Sequence, residues 1–559
     1  GENPKFPDHF SFLISHQLGK MYFRYFMWNF SGRESDVKDA WYEFIPMSEQ
    51  PEHIENNKGR NIYYGIPLIL GLIGMFFQFK RDPKNFAVTG LLFFLTGIAL
   101  VLYLNSPPVE PRERDYIYTG SYYAFAIWVG IGVFAIFDLL AKVINNKQAA
   151  ASAAVVIGLF IPTIMAAENW DDHDRSDRYF SIEAAKNYLD SCAPNAILFT
   201  GGDNDTFPLW YVQEVENYRT DVRVIVLSYF NTDWYIEQMM RRAYKSEPVP
   251  FTLTADQYRQ GGLNDAVLVA ERTEKPVNAR SYMRALKNDN ESLRVGTGLK
   301  TYNSIPTKKM FLGIDSDKIA AMDIVPEDRK ITDRMDWSIN GRMLEKKDLA
   351  ILDIIVSNNW ERPIYFNNTS LSQVNLTLNN YVLQEGLTYR LLPIEPERGG
   401  LGVNTDVMYD NMINNFHWKN LDNESVYYSE DYRNFCLNHR ASFSTLIDNL
   451  LAEGDLERAK TALLYSLEKI PNKTIPYDHY NSTQVGQLLA VGEKEKAIEV
   501  AEILAKKAEN SLDYYERTGI AGEDRRISFY VLVQLIQDFR LNGDTERAMK
   551  YESIYRKYE

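Results

Sequence analysis

The stretch IYYGIPLILGLIGMFFQF (residues 62–79) contains 18 consecutive residues without a charged side chain. Three further runs share this property: FAVTGLLFFLTGIALVLYL (86–104), SYYAFAIWVGIGVFAIF (121–137) and AAASAAVVIGLFIPTIMAA (149–167). A helix needs about 20 apolar residues to cross the hydrocarbon core of a bilayer, and each run reaches this length with its flanking residues. Helices buried in a soluble core rarely lack every charge over such lengths. The sequence therefore predicts a membrane domain of four transmembrane helices at residues 62–167, with the lipid bilayer as its partner.

The basic residues between these runs predict their orientation. The turns at residues 80–85 and 142–147 carry five Lys and Arg residues, whereas the loop at residues 105–120 carries two. Because Lys and Arg favour the cytoplasmic side, both termini are expected on the periplasmic side of an inner membrane. Basic residues near the outer run ends weaken this asymmetry; they are Lys58, Arg60, Arg175 and Arg178. Residues 1–61 are aromatic-rich but interrupted by charges, which favours a segment in the periplasmic interface.

The composition excludes several classes of protein. The chain has 61 Lys and Arg residues against 75 Asp and Glu residues, a formal charge of −14, which argues against nucleic acid as a partner. Two cysteines, Cys192 and Cys436, are too few for a disulfide framework or a thiolate metal site. No glycine-rich dinucleotide fingerprint, phosphate-binding loop or Gly-x-Ser-x-Gly motif occurs, so NAD binding, ATP hydrolysis and α/β-hydrolase chemistry lack support.

Residues 168–400 are predicted to form a soluble α/β domain. AILFT (196–200), LWYVQEVENY (209–218) and DVRVIVLSY (221–229) have the order strand, helix, strand, which is typical of parallel pairing. KKDLAILDIIVSNN (346–359) and PIYF (363–366) indicate another helix and strand that return to the same sheet. Residues 244–342 show no pattern that predicts a fold.

Residues 401–559 are predicted to form α-hairpin repeats. LLAEGDLERAKTAL (450–463), LLAVGEKEKAIEVA (488–501) and FRLNGDTERAMKYE (539–552) share Gly followed by an acidic residue, and then Glu, a basic residue and Ala. The glycine and the acidic residue would end one helix and begin the next, while the alanine allows close helix packing. Spacings of 38 and 51 residues exceed the usual tetratricopeptide period, so the repeats resemble that type with insertions.

A short charged loop, PPVEPRERDY (107–116), lies between the second and third runs. Its charged residues are called the loop cluster: Glu110, Arg112, Glu113, Arg114 and Asp115. Arginine binds phosphate in a bidentate manner, so the cluster could hold a lipid phosphate at the membrane surface. A solvated loop with internal salt bridges explains the same residues equally well.

The polar stretch NWDDHDRSDRY (169–179) directly follows the fourth run. Its candidate substrate-binding residues are called the post-span cluster: Asp171, Asp172, His173 and Arg175. If all four runs cross the membrane, this cluster lies on the same face as the loop cluster. Its acids and histidine could bind a divalent cation, although neither EF-hand nor zinc-helix spacing is present. Alternatively, the acids complement the positive end of a following helix at residues 181–189.

The loop GGDNDTFP (201–208) follows the first predicted strand, where open α/β sheets bind ligands. Its candidates are called the sheet-edge cluster: Asp203, Asn204 and Asp205. The pair Asp203 and Asp205 could coordinate a metal-bound diphosphate, which makes a divalent cation the candidate cofactor. A second interpretation is that Asp205 or Thr206 caps the next helix and Pro208 occupies its first turn, which leaves Asp203 and Asn204 unexplained.

Four phrases around these clusters carry a resemblance to a known family. They are PPVEPRERDYIYTGSYYAFAIW, NWDDHDRSDRYF, CAPNAILFTGGDNDTFPLWY and DVRVIVLSYFNTDWY. Together they resemble the transmembrane-protein-260-like membrane proteins of Bacteroidota, whose animal relatives are protein O-mannosyltransferases with a C-type glycosyltransferase fold. The resemblance implies transfer of a mannose-like sugar from a polyprenyl-phosphate donor to Ser or Thr of exported polypeptides.

The sequence departs from that family at the catalytic motif. Such enzymes carry their catalytic acid early, in a Trp-Asp-x-Gly-Glu-like phrase after the first span, whereas Trp170-Asp171 here follows the last span. The chain therefore resembles a carboxyl-terminal portion, no catalytic residue can be assigned, and the chain alone is expected to be inactive. The alternative is a non-catalytic, membrane-anchored scaffold whose soluble domains bind envelope or secretion partners.

Overall fold

The computed structural model describes residues 5–45, 52–108, 110, 112–298, 300–396, 400–518 and 523–559. These residues form a helical membrane part, an α/β part and a C-terminal helical part. The elements of the membrane part are α1 (Phe6–Ser11), α2 (Arg24–Phe30), β1 (Gly32–Arg33), α3 (Glu52–Glu55), β2 (Asn61–Ile62), α4 (Ile66–Arg81), α5 (Pro83–Thr96), α6 (Ile98–Leu104), α7 (Thr119–Val143) and α8 (Lys147–His173). A π-helical segment, Phe12–Phe23, joins α1 to α2, so the aromatic-rich start is one helical stretch.

Three helical stretches of the described chain are long and apolar enough to cross a membrane. They are Pro83–Leu104, Asp115–Val143 and Lys147–His173, and they correspond to the second, third and fourth predicted runs. The first run forms α4, which has only 16 residues and begins after the left-handed N-cap residue Gly65. At 1.5 Å per residue α4 extends about 24 Å, less than the hydrocarbon core of about 30 Å. Three candidate spans are therefore present, and a fourth stays a prediction.

Glycines bring α4 close to the candidate span α7. A Cβ atom added at Gly74 would lie 1.8 Å from the backbone oxygen of Trp128, so no other residue fits there. A Cβ atom at Gly132 would lie 2.4 Å from the backbone oxygen of Leu70. Small residues allow such backbone approach between helices in membranes. The short helix α4 is thus packed directly against a candidate span.

The α/β part contains one principal sheet with helices around it. Its elements are α9 (Phe180–Asp190), β3 (Ile197–Thr200), α10 (Asp203–Glu214), β4 (Arg223–Val226), α11 (Asp233–Met239), β5 (Ala266–Val269), β6 (Val277–Asn278), α12 (Ala279–Lys287), β7 (Arg294–Thr297), β8 (Lys300–Ile305), β9 (Lys309–Gly313), α13 (Ser316–Met322), β10 (Arg334–Ser338), β11 (Met343–Glu345), α14 (Lys346–Asn358), β12 (Ile364–Asn367), α15 (Asn368–Gln373), β13 (Val382–Gln384), β14 (Thr388–Leu391), β15 (Gly402–Val403) and α16 (Thr405–Asp410). The principal sheet has the order β15-β13-β14-β12-β3-β4.

The parallel centre of this sheet agrees with the sequence, but its other half does not. Strand β3 pairs in parallel with both β4 and β12, as the strand–helix–strand pattern predicts. Strand β14 pairs antiparallel with β12 and β13, so the sheet is mixed rather than parallel. Strand β15 lies beyond residue 400, so the boundary predicted at that residue falls inside the sheet.

Residues 244–342, which show no sequence pattern, contain short strands in two smaller sheets. Their orders are β11-β5-β8-β7 and β10-β9-β6, and both pack on α14 and the principal sheet through a shared apolar core. Helix α14 is buried along nearly its whole length because sheets surround it. The strands are two to six residues long, which explains why alternation of apolar and polar residues does not reveal them.

The C-terminal part is helical, and the repeated phrases lie at its helix junctions. The helices are α17 (Glu430–Glu453), α18 (Leu456–Lys469), α19 (His479–Ala490), α20 (Lys494–Thr518), α21 (Glu523–Leu541) and α22 (Thr545–Tyr558). The glycines of the phrases have φ values of 81°, 82° and 76° at Gly454, Gly492 and Gly543, where L residues are strained. The alanines are fully buried; they are Ala459, Ala497 and Ala548. The predicted junctions are confirmed, whereas their assignment to tetratricopeptide-like repeats stays a prediction.

The segment between α2 and α4 anchors the C-terminal part on the membrane part. The Asp36 carboxylate accepts hydrogen bonds from Arg433 Nη2 at 2.7 and 2.8 Å and from the Tyr427 hydroxyl at 2.6 Å. Its side chain is only 7% exposed. Burial alone would raise the pKa of Asp36, but the charge of Arg433 and these hydrogen bonds lower the pKa below its ordinary value of 3.8. A buried ion pair therefore joins the two parts.

Candidate functional site

In the loop cluster, the Glu113 carboxylate is held by the interior of the membrane part. Arg24 of α2 donates to both carboxylate oxygens, at 3.1 and 2.7 Å, and the guanidinium is fully buried. The Tyr25 hydroxyl and the Asp39 backbone N–H donate at 2.5 and 2.6 Å. Burial would raise the pKa of Glu113, but Arg24 and the other donors lower it below 4.5. Glu113 is therefore held by donors of the chain itself, and its role as a substrate contact stays a prediction.

The remaining residues of the loop cluster differ in exposure. Arg114 Nε donates to Glu110 at 2.7 Å, so these two side chains pair with each other, as the salt-bridged interpretation predicts. Asp115 begins the 3₁₀ turn Asp115–Tyr118 that leads into α7. Arg112 is exposed, and its guanidinium carbon lies 5.7 Å from the centre of the Tyr116 ring. Arg112 is thus the arginine of this cluster that is most open to an incoming anion.

The post-span cluster lies at the end of α8 rather than before the next helix. Asp171, Asp172 and His173 form the last residues of α8, and α9 begins only at Phe180. The acids therefore do not complement the positive end of α9, which corrects that alternative. They lie at the negative end of α8, where a carboxylate is unfavourable unless it has partners.

Asp172 has such partners. Its carboxylate accepts from Asn61 Nδ2 at 3.1 Å and contacts His173 Nδ1 at 2.6 Å. Arg175 donates to the backbone oxygen of Asp172 at 2.6 Å. Asn61 of β2 pairs with Arg33 of β1, in the same segment as Asp39. Because the Asp39 N–H bonds to Glu113 and Asn61 bonds to Asp172, one face of the membrane part carries both the loop cluster and the post-span cluster. We call it the loop face.

The sheet-edge cluster begins α10 instead of preceding it. Gly202 is the N-cap residue and Asp203, Asn204 and Asp205 form the first turn, so neither Asp205 nor Thr206 caps the helix. Pro208 lies inside the helix and not in its first turn. The capping interpretation therefore places the start of this helix about one turn too late. The helix begins after Gly202, and the acidic residues of its first turn complement its positive end.

The sheet-edge cluster meets a residue that the sequence did not indicate. Thr369, in the first turn of α15, donates its hydroxyl to the Asp205 carboxylate. Strands β3 and β12 are parallel neighbours, so the loops after them meet at one sheet edge. The signal was available in NNTS (367–370), which follows β12 as GGDNDT follows β3. Asp203 and Asn204 remain exposed to solvent.

The geometry does not form a cation site from these acids. Side chains two apart on a helix point to different faces, so Asp203 and Asp205 do not converge on one ion. Across the described ranges, no group of three or more His, Cys, Asp and Glu side chains could hold a metal ion. The predicted divalent cation thus gains no support from the sheet-edge cluster.

The arrangement defines a class of protein: one with three candidate membrane spans that carries an α/β part and a helical part on its loop face. Residues 181–429 match the family described as TMEM260-associated domain 2, a region that contains the principal sheet and both smaller sheets. This match supports a relationship to a TMEM260-like family, in agreement with the resemblance carried by the sequence phrases. No curated protein and no solved structure matches the chain.

Proposed function

We propose that this chain is the donor- and acceptor-binding part of an inner-membrane glycosyltransferase-like protein. The complete enzyme would transfer a mannose-like sugar from a polyprenyl-phosphate donor to Ser or Thr of exported polypeptides. The loop face would then point to the periplasm, and the α/β and helical parts would receive the polypeptide. The chain would contribute binding contacts rather than the catalytic acid.

The observation that carries this proposal is the buried attachment of the soluble parts to the loop face. Transfer from a lipid-linked donor to a polypeptide needs both substrates at a defined separation. The ion pair between Asp36 and Arg433 gives such a fixed relation between the membrane surface and the helical part. The Asp39 backbone N–H bonds to Glu113, so the same segment also supports the loop cluster.

Within the loop cluster, Arg112 is the residue best suited to contact the donor phosphate. It is exposed, whereas Arg114 is paired with Glu110. A guanidinium can bind two phosphate oxygens at once, which an ammonium cannot do in the same geometry. Tyr116 lies beside Arg112 and is the type of aromatic side chain that resides at membrane interfaces.

The test measures sugar transfer in membranes that contain the full-length protein, supplied with a radiolabelled polyprenyl-phosphate mannose. Arg112→Ala should lower transfer at least tenfold, equivalent to about 1.4 kcal/mol of transition-state binding, and Arg112→Lys should restore only part of it. Arg556→Ala is the matched control, because Arg556 is also an exposed arginine and lies on α22, away from the loop cluster. Unchanged transfer by Arg112→Ala would refute the assignment.

A second candidate function is a membrane-anchored scaffold, and one observation favours it. Glu113, Arg114 and Asp172 all have partners within the chain, as expected for packing residues rather than ligand contacts. The scaffold predicts that an envelope or secretion partner binds the soluble parts and that capture of this partner survives Arg112→Ala. Co-purification from membranes of both variants, together with the transfer assay, separates the two candidates.

A further inference from the structure

A cleft of about 560 Å³ lies in the α/β part. Strands β9 and β10, helix α15 and the connection at residues 374–380 form its walls. This volume is within the range of about 300–1,000 Å³ that is typical of small-ligand sites. Its floor is apolar and consists of Met310, Trp337, Leu371, Val374 and Leu376.

The rim of the cleft carries three exposed carboxamides. They belong to Asn340, Asn379 and Asn380, and their side chains have no hydrogen-bond partner in the part of the chain that the structure describes. Each carboxamide offers two N–H donors and one oxygen acceptor in a plane. Three such groups around one apolar floor can bind a ligand with several adjacent donors and acceptors.

The charged groups of the cleft are already neutralised. Lys309 Nζ lies 2.9 Å from the Glu274 carboxylate, and Asp336 lies 2.6 Å from the Arg334 guanidinium. Lys309, the cation of the described lining, therefore already has an anionic partner within the chain. The cleft favours an uncharged ligand that is recognised by hydrogen bonds.

An extended peptide cannot bind here by joining the sheet, because the strand edge is occupied. The Ser338 N–H donates to Thr377 Oγ1 at 2.8 Å, and the Thr377 N–H donates to the Ser338 carbonyl at 3.0 Å. The Asn340 N–H likewise donates to the Asn375 carbonyl at 2.8 Å. Strand addition requires free backbone groups at a sheet edge. Recognition must therefore come from side chains.

The floor also contains a buried donor without a partner. Trp337 is 4% exposed, and its indole Nε1 has no hydrogen-bond partner among the described atoms. Because this atom is itself shielded from solvent, it is an unsatisfied donor within the floor and not a group that a ligand reaches. The exposed rim carboxamides, which a ligand can reach, indicate a ligand with several hydrogen-bonding groups.

We propose that this cleft binds a neutral carbohydrate. Adjacent hydroxyl groups of a sugar both donate and accept, which matches the planar carboxamides of Asn340, Asn379 and Asn380. The less polar face of a sugar ring would lie on the apolar floor. This inference does not depend on the proposed transfer reaction, because it concerns a separate site and is tested by binding alone.

The test uses the detergent-solubilised full chain and three neutral trisaccharides: maltotriose, cellotriose and mannotriose. Saturation-transfer NMR detects binding, and calorimetry then gives the dissociation constant. The double variant Asn340→Ala/Asn380→Ala removes two rim carboxamides that are exposed, so folding should be preserved, which thermal unfolding checks. Asn288→Ala is the matched control, because Asn288 is an exposed asparagine directly after α12, outside the cleft.

We expect at least one trisaccharide to bind the unmodified chain and the control variant equally, with a dissociation constant at least tenfold higher for the double variant. Three results would each overturn the proposal. They are no binding of any trisaccharide at about 10 mM, equal binding by the double variant, and displacement of the trisaccharide by a short neutral Ser- and Thr-containing peptide that itself binds more tightly.

Discussion

Several polar side chains of the loop face are bonded within the chain, whereas several polar side chains of the α/β part are exposed to solvent. On the loop face, Glu113 has four donors from three residues, and Asp172 is bound by Asn61 and His173. In the α/β part, Asn204 and Asn340 are exposed to solvent. Clustered charges in a loop can therefore be bound by partners within the chain, whereas isolated amides in the α/β part can remain accessible to a ligand.

The largest effect that would test this comparison is expected at Arg24. Arg24→Met would leave the partly buried Glu113 carboxylate without its countercharge, and the free energy of unfolding should fall by about 3–5 kcal/mol. Thermal unfolding of the detergent-solubilised chain measures the change. Arg24→Met/Glu113→Met should recover much of the loss, because replacing a whole buried pair is far less costly. If Arg24→Met alone had the same free energy of unfolding as Arg556→Ala, Arg24 would not stabilise the Glu113 carboxylate as described.

The next effect concerns Asp36, which lies between the membrane and C-terminal parts. Asp36→Asn should weaken this attachment by about 1.5–3 kcal/mol, as expected for hydrogen bonds to a charged group. Because the pKa of Asp36 is lowered, its stabilisation is present above the ordinary value of 3.8 and is lost as the pH falls below it. Hydrogen exchange at residues 427–433 reports the attachment. Protection that is equal in both proteins at pH 7 would contradict this prediction.

A smaller effect is expected at His417, which contacts Asp190 at the end of α9. Its hydrogen bond to Asp190, 3.1 Å away, outweighs burial and raises the pKa of His417 above 6.5. Stabilisation by the protonated form is therefore complete below pH 6.5 and is lost as the pH rises through the raised pKa. The side chain is 37% exposed, so the contribution is less than about 1 kcal/mol. Between pH 5 and 9, the unfolding midpoints of the unmodified chain should exceed those of His417→Gln at low pH and become equal to them only at high pH.

The smallest effect should come from the exposed members of the sheet-edge cluster. Asp203→Ala and Asn204→Ala should each change the free energy of unfolding by less than about 0.5 kcal/mol, because neither side chain is buried. Asp205→Ala serves as the internal comparison, since it loses the hydrogen bond from Thr369. If Asp203→Ala destabilised the chain as much as Arg24→Met, the Asp203 side chain would have to be bound within the chain, as Glu113 is, and not exposed.

Local patterns predicted the elements, and distant contacts determined the sites. The order of strand, helix and strand gave β3, α10 and β4, because such patterns extend over neighbouring residues. The antiparallel β14 was not predicted, because its four residues show no clear alternation. The role of Glu113 was missed because Arg24 lies 89 residues away, and that of Asp205 because Thr369 lies 164 residues away. Exposure of Asn340 likewise depends on the three-dimensional fold.

The attachment at Arg433 has a mechanical consequence. Arg433 lies in the first turn of α17, a helix of 24 residues that spans about 36 Å. If α17 tilts as a rigid body about its contact with Asp36, a tilt of about 10° displaces the far end of the helix by about 6 Å. A small movement at the membrane surface would therefore produce a larger displacement at Gly454, where α17 ends and the turn to α18 begins.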